Sequence, residues 1–112
     1  MNWRVAVYCR TEPEDETVLD GVKLWEQERH ARLFVEDHPG WQITAVYDDR
    51  GASGLNQDRT SLKQLLTDAR RHRFHIVLVM IPQVLSLSTI HYDEIVSRLK
   101  KYHIAFFTVY EG

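Results

Sequence analysis

The stretch Val5–Pro13, VAVYCRTEP, carries the residues best suited to chemistry in this chain. A run of β-formers, Val5 to Tyr8, breaks into Cys9, Arg10, Thr11 and Glu12 before a proline. In open α/β sheets, binding and catalytic groups collect at the carboxyl ends of strands. Arg10 could hold a phosphate, because a guanidinium stays charged and its fork meets two oxygens. It could equally pair with Glu12, Asp49 or another carboxylate. Arg59 is open between an anion ligand and a residue that simply follows a helix cap. Ser53-Gly54 could form an amide nest for an anion. Glu12, Glu14, Asp15 and Glu16 offer the clustered oxygens a hard cation wants. Their spacing fits no ligand loop, however, and a solvated acidic loop with Thr11 and Glu14 as a capping box is the simpler reading. The six histidines lack zinc-ligand spacing, so no metal or other cofactor is expected. Cys9 reads as a small buried hydrophobe.

The elements that must position these groups follow from periodicity. Trp3–Cys9 is a continuous apolar strand of the kind covered on both faces. A helical pattern runs from about Val18 to Asp37, secure only after Gly21, with Val22 and Trp25 on its apolar side and Lys23, Glu26, Gln27, Glu28, Arg32 and Glu36 on a solvated face. His38-Pro39-Gly40 stops it. Trp41–Tyr47 is a second strand, and Asp48–Gln57 is a loop rich in turn formers. Asp58 is a plausible N-cap for a helix from Arg59 to about Arg71, with Leu62, Leu65, Leu66 and Ala69 inward. His75–Ile81 is the most apolar strand and is expected at the centre. Pro82 ends it, and Gln83–Ser88 connects it to a helix capped by Ser88 or Thr89. That helix runs to about Tyr102, with Ile90, Ile95, Val96 and Leu99 inward and Lys100-Lys101 in the last turn, where cations suit the helix dipole. Ile104–Tyr110 is the last strand. The alternation β-α-β-α-β-α-β predicts a three-layer α/β fold with a mostly parallel four-stranded sheet, order 2-1-3-4, and right-handed crossovers.

The totals bound the rest. The 112 residues suit one domain, residues 1–112. The net charge is -2, unlike the basic excess of a dedicated nucleic-acid-binding domain. A single cysteine fits a reducing, cytoplasmic setting, and no apolar run approaches membrane-spanning length.

Four features together resemble the N-terminal catalytic domain of the serine recombinases, the resolvase and invertase family. Tyr8-Cys9-Arg10 is similar to the family's Y-x-R-x-S. Asp49-Arg50-Gly51-Ala52-Ser53-Gly54 followed by Arg59 is similar to its D-x-G-x-SG…R loop. Leu62–Arg71 leading into Ile76–Val79 resembles L-xx-LL-xx-A before a D-VVLV strand, and Phe106–Val109 resembles the fourth strand. The resemblance spans essentially the whole chain and implies the same order 2-1-3-4. It also implies phosphoryl transfer, in which a serine hydroxyl attacks a DNA phosphodiester inside a cage of arginines.

The residues at the chemical positions depart from that pattern. The nucleophile position is Glu12, whose carboxylate would repel a phosphate by about 1 to 4 kcal/mol at a few ångströms. The family's D-R-L-x-R segment reads Gln83, Val84, Leu85, Ser86, Leu87, so its aspartate and both arginines are lost. Only Arg10 and Arg59 remain of the arginine cluster, with Tyr8, Asp49 and Ser53 beside them. The expectation is a recombinase-like domain that does not cut DNA and serves as an interaction or regulatory module. The alternative is the N-terminal domain of a recombinase that retains strand exchange. The basic helix and DNA-binding domain of family members would lie beyond Gly112. DNA contact is therefore expected through such regions, and a protein partner or self-association through this domain. Val84–Leu87, if exposed, is a candidate contact patch.

Overall fold

The computed structural model describes residues 2–12, 22–50 and 59–111. The expectations for Glu14–Glu16, Ser53-Gly54 and Asp58 fall outside these residues. The described elements are strand β1 (Trp3–Arg10), helix α1 (Leu24–Glu36), strand β2 (Trp41–Asp49), helix α2 (Thr60–Arg70), strand β3 (Ile76–Val79), the one-turn helix α3 (Pro82–Leu85), helix α4 (Thr89–Lys101) and strand β4 (Ala105–Thr108).

All strand pairs are parallel and the order is β2-β1-β3-β4, as expected. Alternate side chains of β1 feed two cores. Ala6 and Tyr8 join the leucines of α2, Val84 and Leu85 of α3, and Ile95 and Leu99 of α4. Val5, Val7 and Cys9 face Ala31 and Val35 of α1. The distribution of helices follows from the strand order. The connection from β1 to β2 runs one way across the sheet, and the later connections run the other way. With crossovers of one hand, that reversal sends α1 to one face and α2 and α4 to the other. Burying each leucine of these cores stabilises the fold by about 2 kcal/mol.

Several expectations need correction. Gln83–Ser88 is not a plain connector: Pro82, fixed near helical φ and lacking an N–H to lose, starts the α3 turn. Val84 and Leu85 are fully buried, so the proposed patch reduces to Leu87. Ile90, expected inward, is 71% exposed, because it stands on the opposite face of α4 from the one that Ile95 and Leu99 bury. On α1 the inward stripe is Gln27, Ala31 and Val35, whereas Trp25 faces solvent. The N-cap position of α2 is Arg59, with no cap bond from its own side chain. Ser88 caps α4 as expected, its Oγ accepting from the His91 N–H. Among the described residues, no helix is long and apolar enough to cross a membrane.

Candidate functional site

The carboxyl ends of β1 and β2, the N-terminus of α2 and the α3 turn meet at one place. Tyr8, Arg10, Glu12, Asp49 and Arg59 converge there. Parallel pairing sets Tyr8 against Tyr47 and Arg10 against Asp49. The opening of β3 into α3 brings the Gln83 and Val84 carbonyls over the end of β1.

Arg10 has no exposed side-chain surface. Its Nη1 donates to Glu12 Oε1 at 2.7 Å, its Nε to the Val84 carbonyl at 2.9 Å and its Nη2 to the Gln83 carbonyl at 2.5 Å. Of the two readings open for Arg10, the ion pair with Glu12 is therefore present. Arg59, 3% exposed, donates from Nε and Nη2 to the Tyr8 hydroxyl, at 3.1 and 2.9 Å, and from Nη2 to the Val84 carbonyl at 3.3 Å. The two guanidinium groups thus share one backbone oxygen. Tyr8 in turn donates to Asp49 Oδ2 at 2.6 Å. Burial, and the Asp49 carboxylate that needs its proton as donor, push the Tyr8 phenol well above its ordinary range, with the Arg59 charge opposing.

Asp49 closes the network. Its Oδ1 accepts from the Ser61 N–H at 2.9 Å and its Oδ2 from the Leu62 N–H at 3.0 Å. These are unpaired first-turn amides of α2, and a carboxylate there also offsets the helix dipole. Asp49, at the end of β2, thus caps α2 from a neighbouring strand.

Gln27, placed by its polarity on a solvated face, is 1% exposed. Its side-chain amide pairs with both backbone groups of Arg10: Arg10 N–H donates to Oε1 at 3.1 Å, and Nε2 donates to the Arg10 carbonyl at 2.8 Å. It continues the ladder where β1 runs out of strand partners. Its spacing of four and eight from Ala31 and Val35 was the one signal that could have found it.

Of the remaining positions, Gln83 is half-buried and its Oε1 is buried with no hydrogen-bond partner among the described residues. Val84 contributes only its carbonyl, and Leu87 is partly exposed. None of the three brings a cation. Among the described residues, two guanidinium groups face two carboxylates, Arg10 and Arg59 against Glu12 and Asp49. Among the described residues, no group of His, Cys, Asp and Glu side chains is placed to hold a metal.

Cys9 is buried beside this network. Burial pushes its thiol from about 9 up to about 12, with Glu28 and Asp48 adding to the rise. A thiol held neutral in the fold ionises first in the unfolded chain. Its contribution to stability is therefore whole below about pH 9 and is lost as pH rises toward 12. Iodoacetamide at mildly alkaline pH is expected to spare Cys9 in the folded protein and to label it in urea, as read by intact mass. Equal labelling rates in the two states would refute this.

Comparisons with known proteins agree with the geometry. The family model described as "Resolvase, N terminal domain" matches residues 5–112. No curated protein matches the chain. Among solved structures, the N-terminal catalytic domain of TP901-1 integrase is 28% identical with a TM-score of 0.84, over 95% of this chain and 76% of that one. The C-terminal catalytic domain of ISC1926 TnpA, an IS607-like serine recombinase, is 20% identical with a TM-score of 0.82, over 96% and 71%. A resolvase family site-specific recombinase from Streptococcus pneumoniae is 18% identical with a TM-score of 0.80, over 96% and 72%.

Proposed function

Because the chain belongs to the resolvase N-terminal domain family, we propose that it keeps the recombinase scaffold without strand cleavage and acts as an interaction or regulatory module in DNA recombination. The observation that carries this reading is the Arg10–Glu12 pair at 2.7 Å. Cleavage by the route the resemblance implies requires an oxygen nucleophile to attack phosphorus, and cations to offset charge growing on the phosphoryl oxygens. Position 12 supplies a carboxylate already engaged by the nearest guanidinium. A phosphate entering there would have to displace Glu12 and face its charge.

The three positions after β3 add no compensation. Loss of one preorganised charge-stabilising donor commonly costs a hundredfold or more, roughly 3 kcal/mol, and two arginines and the nucleophile are replaced together. What persists of the pocket supports structure. Tyr8, Asp49 and Arg59 tie β1, β2, α2 and α3 into one unit. A rigid scaffold with retained shape suits docking to a partner protein, an intact recombinase or a second copy included.

The test uses supercoiled DNA. After incubation and denaturation, neither nicked product nor a covalent protein–DNA adduct is expected, and Glu12→Ser alone is not expected to create one, because the cations remain absent. An adduct formed by the unaltered chain and abolished by Glu12→Ala would overturn the reading in favour of retained strand exchange.

A further inference from the structure

We draw no further inference here: the strongest candidate, the apolar groove between α1 and the end of β4 lined by Leu33, Phe34, Val109 and Tyr110, is an unpartnered face of the sheet, and nothing in the structure shows what covers it.

Discussion

Arg10→Ala is expected to lower the unfolding free energy by about 3 to 5 kcal/mol. The side chain is fully buried and makes three charge-assisted bonds to described residues. Truncation leaves the Gln83 and Val84 carbonyls without these donors and the Glu12 carboxylate, 29% exposed, beside a cavity. The loss is dominated by groups left unpaired rather than by the worth of the pair itself. Glu12→Gln should therefore cost much less, because the amide still accepts from Nη1 and is partly solvated. Against a typical total of about 5 to 15 kcal/mol, Arg10→Ala should shift the urea midpoint strongly or leave the domain unfolded. A change below about 1 kcal/mol would show that the neighbouring groups find other partners and that the network is dispensable.

Asp49→Ala is expected to cost about 2 to 4 kcal/mol, from the loss of a cap and of a charged acceptor for a buried hydroxyl. One carboxylate serves two amides of α2 and the Tyr8 phenol, so three donors lose their acceptor together. Asp49→Asn should retain part of this, since one amide oxygen cannot serve all three and its NH2 opposes a donor. Tyr8→Phe removes a single branch and should cost less than either. Hydrogen exchange at Ser61 and Leu62 should accelerate specifically in Asp49→Ala, because their acceptor is gone while the rest of α2 stays helical. Uniform acceleration across the domain, with no local excess at those amides, would show that Asp49 does not act as the cap.

The two effects share a cause that bears on function. Residues which the family resemblance marks as chemical, Tyr8, Arg10, Asp49 and Arg59, are tied here into a closed structural unit. Their bonds reach β2, α2 and α3 at once, so removing any of them exposes or orphans polar groups in the core.

Much of this was legible in the chain. Continuous apolar runs in β1 and β3, the stripe Leu62, Leu65, Leu66 and Ala69, and the alternation of strand and helix patterns suffice for the architecture, because burial period and chain connectivity are local properties that one sequence states directly. The motif positions around Arg10 and Asp49, and the substitutions Glu12, Gln83, Val84 and Leu87, are likewise matters of residue identity and order. What side chains do to one another was not legible. Gln27 looks solvated until the end of β1 arrives beside it with two unpaired backbone groups. Asp49 caps a helix that begins eleven residues later in the chain. Val84 and Leu85 look like an exposed patch until α3 turns them inward, and Ile90 looks inward until packing selects the face of Ile95 and Leu99 instead. Sequence determined which elements form and which residue types stand at the motif positions; tertiary structure alone decided which polar groups meet, because hydrogen bonds and charges are satisfied by neighbours in space, and the crossovers of a parallel sheet make those neighbours distant in sequence.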